Sequence, residues 1–344
     1  MQRRNLASRH RRIGRLKPTA MTSISPALLA LALAALSCTT TATAAERCPD
    51  RKPPANSRVR SSQLDDLFGK VAPADRPLRF VVVPPAAPDA EARHSLEGLA
   101  AEAKRFDVAL TTLPREAALA ASPDALLFAP DGGDWKGILA DAAKRGIPTV
   151  AVGAQGPGAR LSVAADQPLF GAMAAEYLHE LFPLGAGVAQ LSGPAGAPEN
   201  AARAAGFAKE IGQYPTLQLA DSVATDGTKD RARDAVTALM AAHPDIKAIY
   251  AGNDDMAAGA VEALKGLKLF DVVVVGTGGT DAGRAALAQR ATKGTVARFP
   301  EKEGGIAVQA ALRLLACQTL PAWIVSPQVT MTPKSLEDFA SATQ

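Results

Sequence analysis

Residues 242 to 276 read AHPDIKAIYAGNDDMAAGAVEALKGLKLFDVVVVG, and the order of residue types in this stretch decides the fold. Residues 248 to 251 form a short apolar run that ends on Gly252 and Asn253, and a second, β-branched run fills 272 to 275. Between them Met256, Ala260, Val261 and Leu264 recur at the spacing of one helical face. Strand, helix and strand with short joints make a right-handed βαβ unit, which places the two strands parallel in one sheet. Asp254 or Asp255 is the expected N-cap of a helix starting at Met256.

The same alternation runs outward from this unit. Further strand-like runs occupy 79–83, 107–111, 125–128, 149–152, 187–191 and 295–298, and Ala92, Leu96, Leu99, Ala103 and Phe106 mark a helix after the first. The chain is therefore expected to be α/β, with parallel sheets covered on both faces. At 344 residues it is long enough for two lobes. Ligands of such sheets collect beyond the carboxyl ends of the strands, so function is sought in the loops that follow each run.

Charge is unevenly placed. Residues 1 to 45 hold seven basic residues (Arg3, Arg4, Arg9, Arg11, Arg12, Arg15 and Lys17) and no Asp or Glu. Setting those seven aside from the 38 Lys and Arg leaves 31 against 34 Asp and Glu, so the formal +4 of the whole chain belongs to this segment. A basic stretch, an apolar run from 26 to 36 and small residues ending Ala42-Thr43-Ala44-Ala45 follow the plan of a secretory signal cleaved near Ala45. Export to the periplasm is expected, with Met21 an alternative start. Residues 46 to 77, rich in Pro, Arg, Ser and Asp, read as an N-terminal extension outside the fold. Cleavage leaves Cys48 and Cys317, which in an oxidising compartment either pair or stay as two free thiols.

Enzyme chemistry finds little foothold. His94, His179 and His243 lie in unrelated segments without metal-ligand spacing, and no Gly-x-Ser-x-Gly elbow or Walker A sequence occurs. The strand and glycine-rich turn VVVVGTGGTD at 272 to 281 fails as a dinucleotide fingerprint, because the third glycine position is Asp281. No catalytic residue, metal or cofactor is expected.

The 242–276 stretch closely resembles the ribose-type periplasmic sugar-binding proteins, in the order HPD, strand, N-D-x-M-A-x-G, helix, strand and glycine. Gly-Ile-Pro at 146 to 148, Arg-Ala-Ala-Gly-Phe at 203 to 207, and Gly-Thr-Val-Ala at 294 to 297 followed by Pro300 extend the likeness over about 78–332. The resemblance implies two similar Rossmann-like lobes joined by a three-crossing hinge. Residues 78–165 with 299–326 would form the first lobe, and 166–298 with 327–344 the second. It implies a ligand held between closing lobes by a monomer, for an ABC permease or a membrane sensor. By the same topology the helix ending near Cys317 lies on the lobe of the first strand, within reach of the extension, and a Cys48 to Cys317 disulfide is expected. A regulator of the lactose-repressor type shares the two-lobed core, but 46 to 77 are too proline-rich for a helix-turn-helix, so no nucleic acid is expected.

The pocket departs from the family pattern. Aromatic residues expected in the first loop are missing from Pro88 to Ala92, and the acidic-basic pair expected after Val152 is Gly153-Ala154, with Gln155 next. Gly278 stands where an aspartate is expected, Ala201 where an arginine is, and Arg298 where a glutamine is. The expected ligand-binding residues are Glu91, Gln155, Asp226, Asn253, Thr277 and Arg298. Asn253 offers a donor and an acceptor to vicinal hydroxyls. Arg298 favours a ligand with a carboxylate or phosphate, unless Glu91 or Asp226 neutralises it.

Overall fold

A computed structural model describes Cys48 and residues 57 to 342, with side chains as far as 337. The expected signal segment 1–45 and the processing site at Ala45 lie outside the described residues. Among the described residues, thirteen strands fall into two sheets.

The first sheet runs β1 (Arg58–Arg60), β12 (Trp323–Val325), β6 (Leu161–Ala164), β5 (Thr149–Val152), β4 (Ala125–Phe128), β2 (Leu78–Val83), β3 (Val108–Thr112), and every pairing is parallel. Three of these strands, β4, β5 and β6, are buried along their whole length and β2 is buried except at Arg79, as a sheet covered on both faces requires. On one face α2 (Ala90–Arg105) and α9 (Pro300–Leu315) pack Leu99, Ala307 and Ala311 against Phe80, Val82 and Leu127. On the other, α3 (Lys136–Lys144) and Trp135 cover Val81, Leu126 and Phe128.

The second sheet runs β13 (Gln328–Met331), β11 (Gly294–Arg298), β10 (Val273–Gly278), β9 (Ile246–Ala251), β7 (Ala186–Ser192), β8 (Leu217–Ala224), parallel except for β13. Helices α4 (Gln167–Leu181) and α5 (Pro198–Ile211) bury Phe170, Leu178 and Phe207 against Val188, Tyr250 and Val275. Helices α6 (Lys229–Ala242) and α7 (Asp254–Gly266) bury Val236, Met256 and Leu264 against Leu191, Ile249 and Val274 on the opposite face. A short helix, α8 (Asp281–Ala288), follows β10, and α10 (Pro333–Ala342) follows β13.

The chain passes between the sheets three times: from β6 to α4, from β11 to α9, and from β12 to β13. Two crossings are tied together where Gln328 accepts from the Asp166 amide at 2.9 Å and donates to the Asp166 carbonyl at 3.0 Å.

Helices α2 and α9 approach through glycine. A Cβ on Gly98 would stand 1.9 Å from the Glu301 carbonyl oxygen, and one on Gly304 would stand 2.1 Å from that of Ser95. This contact seats the start of α9 against the middle of α2.

Residues 57 to 69, expected outside the fold, are part of it. β1 is an edge strand on β12, and α1 (Leu64–Phe68) buries Leu64 in the first core. Arg313 on α9, 1% exposed, donates to Asp65 at 2.5 Å and to the Gly69 carbonyl at 2.8 Å. A three-residue strand with polar flanks carries too little pattern to be seen in sequence. The Cys48–Cys317 disulfide is formed, with Cα atoms 5.0 Å apart, just beyond the end of α9.

Candidate functional site

Where the carboxyl ends of β9, β10 and β11 face the start of α2, a cavity of about 470 Å³ opens. Its wall is built from helix beginnings. The first turns of α2, α5, α7, α8 and α9 all reach it, with Glu91, Glu199, Asp254 and Asp255, Asp281, and Glu301 as their first-turn acids. A helix start carries a partial positive charge and unpaired amides, so these carboxylates offset five converging dipoles. The acidic composition of the wall is thus accounted for by the helices themselves.

Asn253 lines this cavity as the N-cap of α7, accepting from the Met256 amide at 2.7 Å and donating to the Gly227 carbonyl at 3.0 Å. The cap expected at Asp254 or Asp255 is therefore one residue earlier: an Asn side chain in extended conformation reaches the third amide of the helix, and the helix starts at Asp254. One N–H and one lone pair of the amide remain for a ligand. Asp254 itself is buried and accepts from the Thr280 amide and hydroxyl at 2.8 and 2.9 Å and from Thr295 at 2.8 Å. Burial raises its pKa in spite of those bonds. It pins the turn after β10, where Gly279 at φ +69° passes so near β11 that a Cβ would lie 2.3 Å from that of Ala297.

Thr277 lies on the cavity wall but is 1% exposed, its Oγ1 3.2 Å from the Ala251 carbonyl and 3.1 Å from Tyr250 Oη. It supports the floor. Arg203 was visible in sequence only as part of a family match. It fills one side of the cavity, donating to Gln167 at 2.6 Å and to the Gly252 carbonyl, with its guanidinium 5.0 Å over the Phe170 ring. No carboxylate comes within ion-pairing distance among the described residues, and burial lowers its pKa against the pull of Tyr250 and Glu199.

Arg298 closes β11, lines the cavity and is held by partners of its own. It donates to Glu91 at 3.0 Å, to the Gly153 carbonyl at 3.2 Å and to Glu303 at 2.5 Å. Burial disfavours its charge, but Glu303 and Glu91 outweigh that and hold its pKa above the ordinary value. Glu303, fully buried, also accepts from Ser326 at 2.7 Å. Burial raises its pKa, opposed by Arg298 and then Ser326. The neutralising partners are thus Glu91 and Glu303, whereas Asp226 takes no part. Gly153, in left-handed conformation at φ +86°, leaves room for the guanidinium: a Cβ there would stand 3.4 Å from Nη2.

Two expected residues are not brought to the cavity. After Gly153 the chain folds back so that the Gly156 amide donates to Ser162 at 3.1 Å, which leaves Gln155 exposed and outside the lining. Asp226 is exposed and accepts from the Thr228 amide and hydroxyl at 2.9 and 2.7 Å, closing the turn before α6. Glu303 escaped notice in sequence, although it lies one helical turn into the helix that follows Arg298. Among the described residues no cluster of His, Cys, Asp and Glu could hold a metal ion, and no helix is long and apolar enough to cross a membrane.

The family model for the periplasmic binding protein domain matches residues 115–319. The chain belongs to this family. As a periplasmic binding protein domain it is 31% identical over 214 residues to the ribose import binding protein of Bacillus subtilis, covering 61% of this chain and 69% of that protein. It is 33% identical over 153 residues to the ribose import binding protein of Salmonella typhimurium, covering 44% of this chain; the match spans about half, 51%, of that relative's length. Among solved structures, a periplasmic ribose ABC transporter protein from Conexibacter woesei superposes with a TM-score of 0.71 at 21% identity, over 80% of this chain and 97% of that one. An arabinose binding protein from Geobacillus stearothermophilus gives 0.70 at 18% identity, over 77% and 99%. The two-lobed α/β architecture of the periplasmic binding proteins is the fold of this chain.

Proposed function

We propose that the chain is an exported solute-binding protein that takes a small hydroxylated ligand, a sugar or sugar derivative, between its lobes. It then presents that ligand to an ABC permease or a membrane sensor. The observation that carries this reading is the cavity of about 470 Å³ between α2 of one lobe and the strand ends of the other. A monosaccharide needs paired donors and acceptors there, and Asn253, Arg203 and the first-turn carboxylates supply both. The relatives, named for import of ribose and other sugars, support the same class. With Arg298 held by two carboxylates, a neutral ligand fits this wall better than the sugar acid that Arg298 alone would favour. Processing near Ala45 and a periplasmic, monomeric state complete the proposal. A thermal-shift screen of pentoses, hexoses, polyols and sugar acids tests it. A ligand at 100 times Kd stabilises by about 2.7 kcal/mol, and a flat response across all four classes would remove the proposal.

A further inference from the structure

Beside the polar cavity lies a second chamber of about 240 Å³, at the carboxyl ends of β2, β4 and β5. Its chemistry is different. Pro84, Pro85, Ala92, Leu96, Phe128 and Pro130 supply much of its wall. The carboxylates that border it are engaged: Asp89 caps α2 by accepting from the Ala92 amide at 2.8 Å, and Glu91 is held by Arg298 at 3.0 Å. Ser95 adds one hydroxyl. Apolar side chains dominate this wall, and an apolar cavity of roughly 150 Å³ is already large enough to accept benzene.

The two chambers adjoin, because Glu91 and Arg298 line both. The ion pair stands between a polar half on the second lobe and an apolar half on the first. We infer that the ligand is two-faced: a hydroxylated ring seated against Asn253 and Arg203, bearing an apolar substituent, alkyl or aryl up to about the size of a phenyl group, that enters the chamber beneath Pro84 and Phe128. This rests on the function proposed above and narrows it from a free sugar to a glycoside or similarly substituted polyol.

Isothermal titration calorimetry of the mature protein with ribose, xylose, glucose and galactose, and with the α- and β-phenyl glycosides of each, tests the inference. The expected result is that one phenyl glycoside binds at least about tenfold more tightly than its parent sugar, a gain in keeping with burial of one apolar ring. Ala92→Phe, which fills the chamber from α2, should bring the ratio of the two affinities to within about twofold of one. Should that variant fail to fold, the wild-type ratio alone decides. Parent sugars that bind while every phenyl glycoside binds equally or less well overturn the inference and leave the proposed function standing. No binding by any of the probes overturns both.

Discussion

Arg298→Gln removes the one cation within ion-pairing distance of Glu303 among the described residues, and the consequence follows from how deeply that carboxylate lies. Glu303 is 0% exposed and, among the described residues, keeps only the Ser326 hydroxyl as a neutral partner. Breaking a buried ion pair from one side costs about 3 to 5 kcal/mol, because the remaining charge is stranded. For a chain of this size that is a fall in Tm on the order of 10 °C. Acid should relieve it. Burial already raises the Glu303 pKa, and without the guanidinium to oppose burial it rises further. A folded-state pKa above the unfolded value gives stability that is fully present below the unfolded pKa and lost as pH rises through the folded pKa. The gap between variant and wild type should therefore be widest at neutral pH and narrow as pH falls through the folded-state pKa of Glu303. Calorimetric melts of both proteins at matched pH from about 8 to about 4 read this directly, and Arg298→Gln combined with Glu303→Gln should recover much of the loss at neutral pH. A single variant melting within about 2 °C of wild type at neutral pH, or a deficit that stays constant in acid, would refute the assignment of Glu303 as a stranded charge.

Asn253→Ala should weaken ligand binding and also lower stability by about 1 kcal/mol through loss of the α7 cap, so its melting point without ligand falls measurably; an unchanged melt would mean the cap is dispensable. Reducing the Cys48–Cys317 bond, or Cys317→Ser, should cost about 2 to 5 kcal/mol, since the bond closes a loop with a sequence separation of 269. Alkylation of the unfolded, unreduced protein should detect neither thiol. Arg203→Ala should lower affinity for the best ligand of the screen by roughly tenfold or more, because it strips donors from a desolvated wall; calorimetry showing no change would take Arg203 out of the site. Mass spectrometry of protein from the envelope fraction should find an N-terminus near Ala45, and a full-length mass from Met1 in the cytoplasm would oppose export.

The βαβ unit at 242 to 276 was legible because its strands are buried on both faces and its helix has one apolar stripe, so pattern and structure share a cause: β9 and β10 lie within three residues of the runs that announced them. Asn253 and Arg298 were found for the same reason, as residues at strand ends. What escaped was whatever depends on a partner far away in sequence. Arg298 suggested an anionic ligand until Glu91, 207 positions earlier, met it across the lobes. Gln155 sat in a correct loop, but a fold-back held by Gly156 and Ser162 turned it outward. β8, with alternating burial and an acidic Asp221, and the three-residue β1 and β12 have patterns too short or too polar to separate from loops.

The place of β12 has a bearing on the order in which the molecule is made. This strand, 323–325, is inserted between β1 and β6, so the first sheet remains split until a segment that follows the whole body of the second lobe arrives. Residues 166–298 are contiguous and can close their core on their own contacts. A chain emerging amino end first can therefore pack the main cores of its second lobe before the first sheet is joined, with the open edge of β6 and the apolar seat of α9 waiting for residues 300–325, and β13 added to the second sheet last. Oxidation of Cys317, just beyond the end of α9, then ties that helix covalently to Cys48 once it is seated.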